Sequence, residues 1–395
     1  MKRIGNTPYV ILEGAEAFED YVAAQKEWRR SVVAKWRWFL EGKLPSGEDL
    51  GLKPIPEKLW ESMAILFENQ AAVSGRAALE QTTKTDVTLP VRFALPIIRQ
   101  VYPELIVSKI ASIQPLPLSS GGVGQIFYMD FLREDKSGMP STTTLDSDYA
   151  KSTENAIPKR IKMTITSETV TAEKDILAAT WSTEVEEDVM GALAIDVQSE
   201  LVQEAAREIR SEIDYRCLTE IMAGATAGNA NWSWTIPAGG NYVAKTWYET
   251  LYHALLDAEN LIFGARYRSA DFVIAGRTLS LYLRKAGDFE PSNATTEFAA
   301  GMKHEGVLEG LWDIYTSVFM NTNQGLMGVY PRSQLDTGYV FAPYIPLTPM
   351  PLVYADFDPT TGNYQNKDKW TRNIRTRNAH KMVVGALYAT ITIAA

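Results

Sequence analysis

Apolar and polar residues change their period along the chain. Up to about residue 105 the apolar positions fall three and four apart. "EAFEDYVAAQKEWRRSVVAKWRWFLEG" predicts a helix ending near Gly42, a second runs from about Pro56 to Gln81, and "PVRFALPIIRQVYPEL" holds a third. From Ile106 the runs shorten and fill with branched and aromatic residues: "LIVSKIASIQPL", "QIFYMDFL" and "KRIKMTITSETVTA" read as strands. Between the last two lies a long polar stretch, "KSGMPSTTTLDSDYAKSTENAI", so these strands are the arms of an extended hairpin with its tip at about 132–158. Gly121, Gly122 and Gly124 stand where the chain must turn into the first arm.

The helical period returns at Thr183. No proline or loop signal interrupts the chain before Gly224, which predicts one rod of about forty residues and roughly 60 Å. Thr183 and Glu186 have capping-box spacing, and Glu184, Glu186, Glu187 and Asp188 suit the positive end of the helix dipole. Val185, Val189, Leu193, Val197, Leu201, Ala205, Ile209, Ile213, Cys217 and Ile221 recur every fourth residue. Each such step drifts about 40°, so the row winds around the helix and meets several partners in turn, unlike a coiled-coil seam. In this row Cys217 reads as a small buried apolar residue. Beyond it come helix "WYETLYHALLDAENLIFG", strand "ADFVIAG" and helix "RTLSLYLRKAG". The apolar runs "LWDIYTSVFM", "GLMGVYP" and "YVFAPYIPL" complete an α/β unit, and the tail "WTRNIRTRNAHKMVVGALYATITI" is β-rich. The class is α+β.

Composition narrows the options. Hydrophobic residues make up 46% and charged residues 22%, enough apolar material for a real core. The net charge of −9 speaks against a surface that grips nucleic acid along its length. A single cysteine excludes an intrachain disulfide and a cysteine metal cluster. The start lacks a signal-peptide core, and "MVVGALYATITIAA" is short of the roughly twenty residues that span a bilayer, so neither secretion nor anchoring is expected. Trp28, Trp36 and Trp38 sit among Arg29, Arg30, Lys35 and Arg37, but nearby acidic residues balance the charge. This arm is expected to dock on a neighbouring subunit.

Candidate chemistry fails on context. Gly122 and Gly124 supply two places of a dinucleotide fingerprint, but Phe127 holds the third and a strand pattern follows, so no phosphate loop and no cofactor are expected. Asp356, Asp358 and Thr360 resemble the Asp-x-Asp-x-Thr signature of haloacid-dehalogenase-like phosphatases, yet too little chain follows to build the doubly wound sheet those enzymes need. Asp-Pro-Thr-Thr-Gly is good hairpin-turn chemistry instead. Asp146 and Asp148 lack a metal-site signature, and His253, His304 and His380 are far apart, so no metal is expected. Lys367, Lys369, Arg372, Arg375, Arg377 and Lys381 form the one basic patch, suited to ion pairing between acidic subunits.

Two stretches carry a family resemblance. In one, Gln114, Pro115 and Leu116 are followed by Gly124, Ile126, Phe127, Tyr128 and Met129; in the other, Asp336 and Gly338 are followed by Ala342, Pro343, Tyr344, Pro346 and Leu347. With the order of elements, they make the chain resemble the major capsid proteins of tailed bacteriophages, particularly the T-even-like group with the Hong Kong phage type of capsid fold. The resemblance covers about Pro90 to the C-terminus.

It implies an N-terminal helical arm at 1–105 and strands with an extended loop at 106–180. A spine helix and peripheral domain follow at 181–246, an axial domain at 247–347, and a return to the peripheral domain at 348–395. It implies a shell subunit that forms hexamers and pentamers of an icosahedral head around double-stranded DNA, touched weakly and without specificity. Portal, scaffolding and decoration proteins are the implied further partners, with no membrane and no enzymatic activity. Its place would be the virion, after assembly in the host cytoplasm. The expected assembly interface comprises Arg133, Glu134, Asp135, Lys136, Asp146, Asp148 and Lys151 of the hairpin with Arg372, Arg375 and Arg377 of the tail. Ile11-Leu12-Glu13 has the form of a prohead-protease site, and no motif marks an isopeptide cross-link at Lys136 or Lys151. An encapsulin-like nanocompartment shell is the alternative on the same fold, although such shells are usually shorter and lack so large an arm. A phosphatase using Asp356 and Asp358 is the alternative outside it.

Overall fold

The computed structural model describes residues 3–4, 7–8, 15–43, 54–80, 107–117, 121–133, 161–193, 197–236, 244–285, 289–291, 302–358 and 360–394. The helix expected within "PVRFALPIIRQVYPEL" and the hairpin tip lie outside these residues. Among the described residues, no helix is long and apolar enough to cross a membrane.

Two helices open the chain, α1 (Ala15–Leu40) and α2 (Trp60–Glu80). They meet through Trp36, Phe39 and Phe67, whose rings lie 5.1–5.6 Å apart, and through Arg29–Glu61 and Lys35–Glu68 pairs, both at 2.7 Å. Arg37 pairs with Glu41 at 2.7 Å. The basic and aromatic residues of this arm therefore have partners within it. Helix α2 in turn packs against the chain's own sheet. Asn69 Nδ2 donates to the carbonyls of Leu116 (3.0 Å) and Tyr344 (3.1 Å), and Thr348 Oγ1 donates to Gln70 (2.9 Å). Asn69 and Gln70 are buried, so these bonds satisfy groups that water does not reach.

Next come β1 (Ser112–Ile113), β2 (Val123–Arg133), β3 (Ile161–Thr171) and β4 (Glu173–Ser182). Strands β2 and β3 pair antiparallel without a register shift from Val123↔Thr171 to Arg133↔Ile161. They form a two-stranded hairpin. Helix α3 (Thr183–Leu193) and the long helix α4 (Val197–Gly224) follow, with residues 194–196 between them outside the description. The cap lies one residue earlier than expected: Ser182 Oγ accepts the N–H of Val185 at 3.4 Å, and Glu186 takes the indole N–H of Trp181 at 3.0 Å. Adjacent hydroxyl residues make that boundary ambiguous in sequence. Of the expected apolar row, Ala205, Ile209, Ile213, Cys217 and Ile221 on α4 are buried, and Val185 on α3 is 47% exposed.

The α/β lobe contains β5 (Asn229–Ser233), α5 (Ala244–Glu249), α6 (Leu251–Arg266), β6 (Phe272–Ala275) and α7 (Arg277–Lys285). It continues with β7 (Phe289–Pro291), β8 (Met302–Leu308), β9 (Trp312–Ser317) and β10 (Gln324–Gly328). Two 20-residue strands, β11 (Tyr339–Asp358) and β12 (Asn363–Met382), lead to the last strand, β13 (Tyr388–Ala394). The strand order of the larger sheet is β5-β13-β10-β6-β9-β8-β7, and that of the smaller is β1-β11-β12-β4. Strand β11 runs through residue 347, and β13 lies in the larger sheet beside β10 and β5. Alternation marks a strand but does not name its neighbour. The core spans both sheets, with Trp312, Phe272, Phe341 and Tyr388 fully buried.

Candidate functional site at the hairpin root

The two motif stretches meet beneath the hairpin. Leu116, Ile126 and Val170 pack with Val340, Ala342, Tyr344 and Ile345 in a small core separate from the main one. Hydrogen bonds fix the arrangement. The side chain of Gln114 donates to the carbonyls of Phe127 and Gln334, each at 2.8 Å, and its Oε1 accepts the N–H of Phe127 at 3.0 Å. One amide side chain thereby supplies β2 with the donor and acceptor of a neighbouring strand. Leu116 N–H donates to Pro343 (3.0 Å), and Met129 N–H donates to Leu335 (3.0 Å).

The glycines serve this root in two ways. Gly121 (φ +68°) and Gly122 (φ +90°) occupy the left-handed region that disfavours other residues, and Ala172 N–H closes the turn on the Gly122 carbonyl at 2.7 Å. Gly124 is required for space, since a Cβ there would lie 2.5 Å from Leu116 Cδ2. The segment after them enters the β2–β3 ladder and not a helix.

Arg377 belongs to the same root. Its Nη2 donates to the Ala172 carbonyl at 3.1 Å, its guanidinium stands 5.1 Å from the Tyr344 ring centre, and a Cβ on Gly122 would come 2.7 Å from Nη2. A residue expected at an intersubunit contact thus binds the hairpin to the sheet within one chain. Lys381 adds a link, its Nζ 3.3 Å from Glu168 of β3. Arg372 and Arg375 lie on β12 opposite Ala179 and Ile176 of β4, on opposite faces of the sheet. Arg133 ends β2 with its side chain outside the description, and Glu134, Asp135, Lys136, Asp146, Asp148 and Lys151 lie outside the described residues.

Asp356 and Asp358 stand in β11 opposite Gln365 and Asn363. They belong to an antiparallel hairpin, not to the doubly wound sheet that phosphatase chemistry uses. Among the described residues, no group of three or more His, Cys, Asp or Glu is placed to hold a metal ion.

A polar cluster that sequence reading missed ties α4 to the smaller sheet. Glu220 accepts hydrogen bonds from Tyr339 Oη (2.7 Å) and His380 Nδ1 (2.8 Å), while Arg216 pairs with Asp175 at 2.8 Å. Only fold geometry joins residues 41 to 160 positions apart, so no local signal could have revealed it. Burial raises the Cys217 thiol and the Tyr339 hydroxyl, which keeps both neutral. At Glu220 burial opposes the charged form, but the bonds from His380 and Tyr339 outweigh it and hold the carboxyl below its ordinary 4.5. A depressed carboxyl adds stability that is complete above its ordinary range and lost as pH falls through the folded value. Glu220→Gln is therefore expected to lower the unfolding temperature at pH 7 by about 1 °C, with the deficit closing below pH 4.5. Thermal melts of both chains across pH check this; a deficit that does not depend on pH contradicts it.

Comparison with known proteins connects this architecture to one family. The family model for "Major capsid protein Gp23" matches residues 133–366, well over half of the chain. A major capsid protein of Vibrio phage KVP40 is 23% identical over 212 residues, covering 47% of this chain and 40% of that protein. A major capsid protein of Serratia phage KSP90 is 24% identical over 199 residues, covering 48% of this chain and 45% of that protein. The matches thus span less than half the length of these curated relatives. Among solved structures, a chain from Mycobacterium phage Bobi is 10% identical with a TM-score of 0.46, covering 74% of this chain and 90% of that one. A chain from the capsid of an empty GTA particle is 13% identical with a TM-score of 0.43, again covering 74% and 90%. On the strength of the family match, this chain belongs to the Gp23 major capsid protein family.

Proposed function

We propose that this chain is a structural shell subunit that assembles with copies of itself into hexamers and pentamers of an icosahedral phage head enclosing double-stranded DNA. The match to the Gp23 major capsid family carries this reading. The hairpin supports it. Two strands alone are marginal in water, yet this pair is 11 residues long on each side and exposes Val123 (50%), Phe127 (43%) and Ile165 (53%) on one face. A rigid root bearing an exposed apolar arm suits a protein whose partner is a neighbouring subunit.

The axial role of the α/β lobe, the peripheral role of the smaller sheet and α4, and the interface residues of hairpin and tail belong to this proposal. So do portal, scaffolding and decoration partners, weak contact with DNA, residence in the virion after assembly in the host cytoplasm, and the lack of an enzymatic role. The net charge of −9 suits a wall past which DNA must move without adhering. Electron micrographs of the purified chain test the reading: shells or rings support it, and a persistent monomer contradicts it.

A further inference from the structure

We infer that the face of the smaller sheet turned away from α4 binds a second copy of this chain, with α3 of that copy as the docking element. This contact rests on the self-assembly reading and uses the β4 side of that face, next to the hairpin root that Arg377, opposite Lys174, holds on the same face. The two faces of β4 differ. Asp175, Leu177, Ala179 and Trp181 are buried or half-buried, and Asp175 pairs with Arg216 of α4. Lys174, Ile176, Ala178 and Thr180 are all exposed, Ile176 at 51%. Arg375 stands directly opposite Ile176 in the β12–β4 register and shares its face. The result is a strip with an apolar centre and cations at Lys174 and Arg375.

Helix α3 has the complementary character. Glu184, Glu187 and Asp188 are exposed, together with Val185 (47%) and Met190 (60%). Within its own chain α3 is fastened at the end of the sheet. Trp181 bonds to Glu186 at 3.0 Å, and Thr183 Oγ1 bonds to the Asp368 carboxylate at 3.2 Å. The cationic strip and the acidic helix are consecutive in sequence, β4 ending at Ser182 and α3 starting at Thr183. A two-fold axis beside that junction lays each copy's acidic helix face on the other's sheet, covering Ile176 and matching opposite charges twice.

Charge exchange tests the contact by sedimentation of the full chain across concentration. Lys174→Glu alone and Glu187→Lys alone are each expected to raise the concentration needed for association about tenfold at low salt, from two exposed pairs turned repulsive. Added salt shrinks that shift. The double variant is expected to return close to the wild-type value. Singles without effect, or a double variant no better than the singles, overturn this contact while wild-type assembly leaves the shell reading standing. A wild-type chain that never associates overturns both.

Discussion

Deleting residues from about Lys136 to Glu154 is expected to leave a folded chain that no longer assembles. The bonds that hold the hairpin root come from elsewhere: Gln114 on Phe127, Arg377 on Ala172, Leu116 against Gly124, and Asn69 on two carbonyls. Folding therefore loses little, and the unfolding transition should stay within about 1 kcal/mol of wild type, as for surface changes away from buried features. Assembly should fall below detection, because the chain loses the part proposed to reach its neighbour. Circular dichroism with denaturant melts reads the first effect, and sedimentation reads the second. Normal shells from the deletion variant contradict the role given to the hairpin.

The second large effect is expected at Gly338, one of the motif residues. A Cβ there would run into the ring of Tyr388, a side chain with no exposure to solvent. Neither side can yield easily. Val383 and Val384 both donate their N–H groups to the Gly338 carbonyl, at 2.9 and 3.0 Å, and Tyr388 Oη donates to the Ile110 carbonyl at 3.3 Å. Gly338→Ala should cost about 3 kcal/mol, the upper part of the range for overpacking a core. Gly264→Ala is the control, since a Cβ in that helix meets nothing within 4 Å and alanine favours the helix. Denaturant melts separate the two; equal stability of both variants would mean that the Gly338–Tyr388 contact does not constrain the fold.

The hairpin was legible because its signal is local. Branched and aromatic runs flanking a polar stretch foretold the strands now seen at Val123–Arg133 and Ile161–Thr171. The glycines could be read as a turn, but their division into two backbone positions and one space-limited position needed Leu116 in place. Gln114 stood out in a motif, yet its clamp on Phe127 depends on how the intervening residues fold back. Arg377 read as part of an intersubunit interface, because sequence does not show that Tyr344 and Ala172 lie beside it.

The long strand β11 was harder to read. Pro343, Pro346, Pro349 and Pro351 would normally argue against a twenty-residue strand. It tolerates them because its outer side pairs with β1 only at Val340 and Phe341, and because its register shifts between Pro343 and Ile345, between Ile345 and Thr348, and between Pro349 and Leu352. Prolines on an edge strand lose few ladder bonds and discourage unwanted pairing. Periodicity alone does not distinguish an edge strand from a central one.

Self-assembly is tested most directly by electron microscopy of the purified chain at micromolar concentration. Closed shells, or rings of six and five subunits, are the expected result. A field of single 44.0 kDa particles that persists as concentration rises would contradict it.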